Sequence, residues 1–215
     1  MKKTVLLTAI GFIAMANVLA AGGISVKAKG TVREGIYTSP DKGFQVKVPD
    51  LLRPGASIRD ERLANGEGVV YFKDDLCREY FIHNVPSQPT IVGQSELERF
   101  VDERLLPGWT VAKQATIESV SAADIGRGAT VEVRLRQPGG PCSVMTFGEN
   151  GRMVTQPVPA QVLIYVFVED GTVYEAGYIL GDAGDIGQLF GPANRPADEL
   201  LRDFVAGVSP SPAMK

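Results

Sequence analysis

The 215-residue chain has few of the side chains from which catalytic and metal sites are most often built. It contains one histidine, His83, and two cysteines, Cys77 and Cys142. No H-E-x-x-H, G-x-S-x-G or C-x-x-C pattern surrounds them. Zinc proteases, α/β-hydrolases and dithiol oxidoreductases are therefore not indicated, and a metal bound by His83 would need carboxylates or thiolates as its other ligands.

The chain also lacks a basic cluster. It has 22 Lys and Arg against 25 Asp and Glu, a formal net charge of −3. Loss of Lys2 and Lys3 with a leader peptide would leave 20 basic and 25 acidic residues, a net charge of −5. A mildly acidic chain of this kind is not typical of proteins that bind nucleic acid.

The N-terminus has the order of a secretory signal peptide. Lys2 and Lys3 precede an uncharged run, residues 4–21, and small residues follow. Val18 and Ala20 fit a cleavage after Ala20, and a cut one residue later fits nearly as well. The competing interpretation is an uncleaved anchor, because the run approaches the roughly 20 residues of a spanning helix. We expect cleavage, no transmembrane span afterwards, and an exported protein in the periplasm or outside the cell.

An oxidising compartment favours a disulfide bond between Cys77 and Cys142. Such a bond would close a loop of about 66 residues and stabilise the fold by ~4 kcal/mol in the chain-entropy model. Two free buried thiols or a redox pair are the alternatives. The redox pair is disfavoured by spacing, because thiol oxidoreductases use C-x-x-C.

Alternation of apolar and polar residues predicts strands over much of the chain. Val131, Val133 and Leu135 alternate with charged residues, so their strand has one buried and one solvated face. Residues 162–168, VLIYVFV, are apolar on both faces and predict a central strand. The following TVYEAGYIL predicts its hairpin partner across an Asp-Gly turn.

Two segments have the apolar spacing of helices. In the first, Ser95 and Glu98 form a capping-box pattern at the start, and Pro107-Gly108 predicts the end. The second follows Pro196. Strands, a helix, further strands and a last helix indicate the α+β class, a mainly antiparallel sheet with helices packed on it.

The order of these features also predicts the domain organisation. We expect a signal peptide at 1–20, a lead-in segment at 21–35, a single α+β domain at 36–208 and a disordered tail at 209–215.

Residues 37–49, YTSPDKGFQVKVP, combine an aromatic residue, a Ser-Pro-Asp turn, Gly-Phe, alternating valines and a proline. The residues are Tyr37, Ser39, Gly43, Phe44, Val46, Val48 and Pro49. This stretch resembles the start of PsbP-like domains, the superfamily of the extrinsic photosystem II subunit and its bacterial envelope relatives. The order of elements over about residues 36–206 also suits that fold, an α/β/α sandwich around an antiparallel sheet. The resemblance implies binding, scaffolding or assembly rather than one reaction, and no functional residue is carried over.

Three local features are candidates for chemistry, and each has a simpler structural interpretation. Asp182 and Asp185 lie in the Gly-rich run GDAGDIG, which lacks the ligand order of an EF-hand loop. Asp74 and Asp75 point to opposite faces of a strand and cannot share one proton. His83 lies on a predicted strand without a local motif. We therefore predict no catalytic residue, cofactor or metal site.

Four aromatic residues of the apolar strand and its partner form a candidate surface for a protein or peptide partner. They are Tyr165, Phe167, Tyr174 and Tyr178. A core sheet buried under two helices explains them equally well.

These observations predict an exported, non-enzymatic binding or assembly module of the cell envelope, with an envelope protein or peptide as its partner. The alternative is an exported hydrolase or other enzyme in which Asp182, Asp185 or His83 participates. The binding hypothesis predicts that no deep polar pocket with convergent titratable groups is present.

Overall fold

The computed structural model describes residues 25–27, 30–39, 44–49, 56–62, 68–74, 77–86, 91–182 and 195–210. Within these ranges the chain forms three sheets and two α-helices. The strands are β1 Ser25–Lys27, β2 Thr31–Arg33, β3 Ile36–Ser39, β4 Phe44–Lys47, β5 Ser57–Arg62, β6 Gly68–Lys73, β7 Arg78–Pro86, β8 Thr116–Ala122, β9 Thr130–Gln137, β10 Ser143–Phe147, β11 Met153–Pro157, β12 Ala160–Glu169, β13 Thr172–Gly181 and β14 Val208–Pro210. The helices are α1 Gln94–Phe100 and α2 Ala197–Ala206.

An eight-stranded sheet in the order β1-β5-β6-β7-β13-β12-β9-β8 forms the centre of the fold. Its strand pairs are antiparallel except for β1 with β5. A four-stranded sheet, β14-β4-β3-β2, and the β10–β11 hairpin complete the strands. This mainly antiparallel architecture confirms the predicted α+β class.

Both faces of the central sheet are covered. On one face, buried side chains such as Phe72, Tyr80 and Ile82 pack against α2 and the four-stranded sheet. On the other face, Phe81, Val133 and Ile164 pack beneath a helical segment that starts with α1. The layers thus follow the α/β/α order that the resemblance implied, with the small sheet sharing one outer layer with α2.

The apolar run 162–168 forms β12, which lies between β13 and β9 in the central sheet. Asp170 and Gly171 both have positive φ, 50° and 74°, as an Asp-Gly hairpin turn requires. Β-hairpin pairing then runs from Ala160 opposite Gly181 to Glu169 opposite Thr172. The predicted central strand and its hairpin partner are therefore confirmed.

The four aromatic residues of this hairpin are not a partner surface. Tyr165, Phe167, Tyr174 and Tyr178 are at most 4% exposed and belong to the core beneath α2 and the four-stranded sheet. Successive strand residues alternate between faces, so these rings all point to the same covered side. A partner could reach them only by displacing that outer layer. The structure corrects the surface prediction in favour of the core alternative.

The stretch that carries the PsbP-like resemblance contributes to the same core. Tyr37, Phe44 and Val46 are fully buried on β3 and β4. The Tyr37 hydroxyl donates a hydrogen bond to Oδ2 of Asp60 at 3.0 Å, which ties the small sheet to β5. Residues 40–43 lie outside the described residues. The predicted inward face of this strand is confirmed.

The first helix differs from its prediction at both ends. Its capping carboxylate is Glu96, whose Oε2 accepts hydrogen bonds from the backbone N–H of Val92 and Gly93 at 2.8 and 2.9 Å. Ser95 lies one residue inside the helix and is exposed. The capping box is therefore shifted by two residues from the predicted pair Ser95 and Glu98.

The helix also continues through Pro107 instead of ending there. After Phe100 the chain forms π-helical turns at Val101–Leu105 and Gly108–Ala112, and this whole stretch from Gln94 is called the helical segment below. Proline lacks an amide donor and crowds the carbonyl of the preceding turn. A change of hydrogen-bond spacing from i+4 to i+5 at this point accommodates the ring, with φ at −59°.

Cys77 and Cys142 form the predicted disulfide bond. It links the start of β7 to the connection between β9 and β10. The Cys77 carbonyl accepts a hydrogen bond from Gly181 N–H at 2.8 Å, and the Cys142 carbonyl accepts one from Val158 N–H at 3.1 Å. Both cysteines are therefore anchored by backbone pairing as well as by the bond between them.

Strand β14 extends to Pro210, two residues beyond the predicted end of the domain at 208. The predicted signal peptide, 1–20, and Asp185 lie outside the described residues, and the remaining domain boundaries stay predictions. In the part of the chain that the structure covers, no helix is long and apolar enough to span a membrane.

One glycine of the central sheet is required by a ring. Gly177 on β13 lies opposite Phe81 on β7, and a Cβ atom at position 177 would be 2.2 Å from Cε1 of Phe81. The ring thus occupies the space above the glycine. Trp109 packs on the other side of Phe81, with ring centroids 5.8 Å apart.

We predict that Gly177→Ala lowers the free energy of unfolding by about 1–3 kcal/mol, because the added methyl group must displace the Phe81 ring. Urea denaturation measures the change. Gly108→Ala is the control, since a Cβ atom there meets nothing within 4 Å. It should be neutral or stabilise the helical segment by up to ~1 kcal/mol. If both variants lose the same free energy of unfolding, the Phe81 ring is not the reason for a glycine at position 177.

Candidate functional site

A cavity of about 620 Å³ lies between the central sheet and the helical segment. Strands β5, β6, β7 and β13 form its floor. Phe100, Arg104, Trp109 and Lys113 line it from the helical segment, and residues 139–141 form an end wall. The volume falls within the range of small-molecule sites in proteins.

Strand register arranges the floor in three rows that run across the sheet. The first row contains Lys73 and Glu79, the second contains Tyr71, Phe81 and Gly177, and the third contains Val69, His83 and Glu175. All these residues share one face because they alternate along their strands. The middle row is aromatic, whereas the outer rows carry the ionisable groups.

The aromatic part of the cavity is built from Tyr71, Phe81 and Trp109. The rings of Tyr71 and Phe81 are 6.4 Å apart between centroids, and Trp109 packs against Phe81 from above. The guanidinium of Arg59 lies over the Tyr71 ring at 5.1 Å from its centroid. These rings supply an apolar surface, and the Arg59 guanidinium already lies against the edge of that surface.

His83 and Glu175 form a pair at one end of the floor. Nδ1 of His83 and Oε2 of Glu175 are 3.1 Å apart, and both side chains are mostly buried. The partner of His83 comes from a strand 92 residues away in the sequence. A local motif around His83 could not have revealed it.

Glu79 lies at the other end of the floor. It is 9% exposed, and no described residue forms a hydrogen bond or ion pair with its carboxyl group. Burial raises the pKa of Glu79 above its ordinary value, while Lys73, Arg59 and Lys113 oppose that rise. Lys73 lies directly opposite Glu79, yet its ammonium group donates to the carbonyl of Pro141.

The charges of the cavity are sorted by depth. Glu79 and Glu175 are buried at the floor, whereas Arg104 and Lys113 are exposed on the helical segment. Glu61 lines the edge and pairs with Arg59 at 3.2 Å. The interior therefore presents carboxyl groups, and the mouth presents cations.

The aspartates considered from the sequence lie elsewhere. Asp182 is exposed after β13 and does not line the cavity. Asp185 and Asp75 lie outside the described residues. Asp74 is buried and accepts hydrogen bonds from the backbone N–H and Nε of Arg78, at 3.0 and 2.6 Å. Its role is structural, at the start of β7.

Across the described ranges, no group of three or more His, Cys, Asp and Glu side chains is arranged to hold a metal ion.

The binding hypothesis predicted no deep polar pocket with convergent titratable groups, and the structure shows a cavity lined by Glu79, His83 and Glu175. Glu79, Phe81 and His83 alternate along one strand, so the sequence did carry a signal that they share a face. The opposing Gly177 and Glu175 come from β13, and the roof comes from a helix that the sequence predicted to end at Pro107. Only the strand register and the extended helix bring these parts together.

The sequence reasoning also missed an exposed apolar face on the β10–β11 hairpin. Met145, Phe147 and Met153 are 71%, 79% and 60% exposed. Phe147 pairs with Met153 across the hairpin, and Met145 lies two residues from Phe147, so the three share one side.

Comparisons with known proteins concern the fold alone. No family model and no curated protein matches the chain. The solution structure of cyanobacterial PsbP (CyanoP) from Synechocystis sp. PCC 6803 is similar over 91% of this chain and 99% of that chain, with 15% identity and a TM-score of 0.43. A crystal structure from Bacteroides thetaiotaomicron is similar over 84% of this chain, with 10% identity and a TM-score of 0.43, and this chain spans 50% of its length.

The resemblance of residues 37–49 to PsbP-like domains stays a resemblance at the level of the fold. At this identity and TM-score the similarity assigns no role to any cavity residue.

We predict that Glu79→Gln stabilises the protein at neutral pH relative to the wild type. A carboxyl group whose pKa is raised in the folded state contributes stability that is present below its unfolded pKa and lost as the pH rises through its folded pKa. Because Gln does not ionise, the variant should gain relative stability as the pH rises from about 4 to 7. Urea denaturation across this range measures the difference, and a constant or reversed difference would contradict the environment described for Glu79.

Proposed function

We propose that the protein is an exported, non-enzymatic binding module of the cell envelope, and that it holds a small molecule in the cavity above β6, β7 and β13. The observation that carries the proposal is the cavity itself, about 620 Å³ with an aromatic middle and polar groups at both ends. Small-molecule sites are typically concave and mostly apolar, with a few polar groups that fix orientation. Export is supported by the signal-peptide pattern and by the disulfide bond.

The spacing of the ionisable groups favours binding over catalysis. Glu79 and His83 are four residues apart on β7, so their Cα atoms are about 13 Å apart, with Phe81 between them. A general acid and a general base must each come within about 3 Å of the groups between which they transfer a proton. These two side chains instead suit the two ends of one bound molecule. The exported-hydrolase alternative is therefore less well supported by this cavity.

We predict that Ala112→Phe blocks the cavity and weakens ligand binding at least tenfold, an effect on the order of 1.4 kcal/mol or more. Ala112 is exposed and lines the cavity from the helical segment, so a larger side chain can fill the entrance without disturbing the core. Trp109 is the only tryptophan of the chain and lines the same cavity. Its fluorescence during titration with a panel of amphipathic metabolites measures binding.

Val111→Phe is the matched control, because Val111 is exposed next to Ala112 but does not line the cavity. It should bind like the wild type. If no member of the panel changes the Trp109 signal, or if both variants bind equally well, the cavity is not the binding site.

A protein partner is a second candidate, favoured by the exposed hairpin face of Met145, Phe147 and Met153. Exposed apolar side chains on one side of a hairpin provide contact area that water solvates poorly. This exposed face, and not the four buried aromatic residues of β12 and β13, is the candidate surface for a protein partner.

We predict that Phe147→Ser abolishes capture of any specific partner from an envelope extract, while the fold is retained. Affinity capture followed by mass spectrometry compares this variant with the wild type. Val111→Ser, a similar change on the helical segment, is the control and should capture like the wild type. A partner retained equally by both variants would exclude the hairpin face.

A further inference from the structure

The cavity contains a buried carboxyl group for which the described residues supply no partner. Glu79 is 9% exposed and lines the cavity, and none of the described residues forms a hydrogen bond or ion pair with it. A carboxylate removed from water without a partner costs several kcal/mol. A bound molecule that pairs with Glu79 would offset this cost.

The cations nearest to Glu79 are engaged elsewhere. Lys73, directly opposite on β6, donates to the carbonyl of Pro141. Arg59 pairs with Glu61 at 3.2 Å and lies over the Tyr71 ring. Lys113 is exposed on the helical segment. They lower the electrostatic cost of Glu79 without occupying the position beside its oxygens.

The surroundings of Glu79 favour a cation with an apolar body. Phe81 is two residues away on β7, about 7 Å along the strand, and Trp109 covers it. Aromatic faces attract ammonium groups and also pack against rings. In a ligand whose ammonium group and ring are separated by two to three bonds, the ammonium group can lie beside Glu79 while the ring lies over Phe81.

The other carboxyl groups of the cavity have basic partners. Glu61 lies 3.2 Å from Arg59 and Glu175 lies 3.1 Å from His83, so Glu79 is the lining carboxyl group without a partner among the described residues. A ligand carboxylate beside Glu79 would place like charges together in a partly buried site, which raises the cost of binding.

From this arrangement we infer that the cavity selects a small organic amine, with its ammonium group on Glu79 and its apolar body against Phe81 and Trp109. This inference rests on the proposed small-molecule function of the cavity and adds its ligand class.

Three probes of similar size and different charge test the inference: 2-phenylethylamine, 2-phenylethanol and 3-phenylpropionate. Each is titrated into protein produced from the full-length sequence, with Trp109 fluorescence as the readout. The amine should bind about tenfold or more tightly than the alcohol, because charged hydrogen bonds exceed neutral ones in strength. The carboxylate should bind most weakly.

Variants of Glu79 isolate its contribution. Glu79→Gln keeps the size of the side chain and should weaken amine binding about tenfold while changing alcohol binding less than about twofold. Glu79→Asp keeps the charge and should retain part of the preference for the amine. Glu103→Gln makes the same chemical change at an exposed position of the helical segment outside the cavity and should leave all three affinities unchanged.

An amine that binds no better than the alcohol, or a preference that survives in Glu79→Gln, overturns the ligand class. Binding of the alcohol or the carboxylate without an amine preference would remove the amine class and leave the cavity as a small-molecule site. The proposed function itself falls if the metabolite panel also leaves the Trp109 fluorescence unchanged, or if Ala112→Phe and Val111→Phe bind the panel equally well.

Discussion

The antiparallel pairing of β7 with β13 determines both the core and the cavity. It sets Tyr178 opposite Tyr80 on one face of the central sheet, and Gly177 opposite Phe81 on the other. The first pair belongs to the core beneath α2, while the second forms the cavity floor. A slip of β7 by one residue would move its side chains to the opposite face and turn Glu79 and His83 towards α2. The same hydrogen bonds that stabilise the sheet therefore also place Glu79, His83 and Glu175 on the cavity floor.

This pairing shows how local and non-local information differ in the sequence. Alternation along β9, the apolar run of β12 and the Asp-Gly turn after it were sufficient to predict strands and a hairpin, because these features depend on neighbouring residues. The pair of His83 and Glu175 depends on a register between strands 92 residues apart. No short motif contains it. The helix through Pro107 was missed for a different reason, since a change to π-helical spacing removes the conflict that usually makes proline end a helix.

The cavity also illustrates a balance between stability and binding. A glycine at position 177 leaves room for the Phe81 ring, and a glutamate at position 79 is buried where a leucine would cost less. Glu79 therefore weakens the empty fold locally, whereas Gly177 is the residue that the Phe81 ring requires. The disulfide bond and the two covered faces of the sheet supply the stability that tolerates a buried carboxyl group.

The disulfide bond lies beside the cavity. Cys77 precedes Arg78 and Glu79 at the start of β7, and Cys142 follows residues 139–141, the end wall of the cavity. The disulfide bond therefore joins the strand that carries Glu79 to the end wall of the cavity, residues 139–141. Under the proposed export, this bond would form only after the chain has left the reducing cytoplasm, and it would then constrain the wall of the proposed binding cavity.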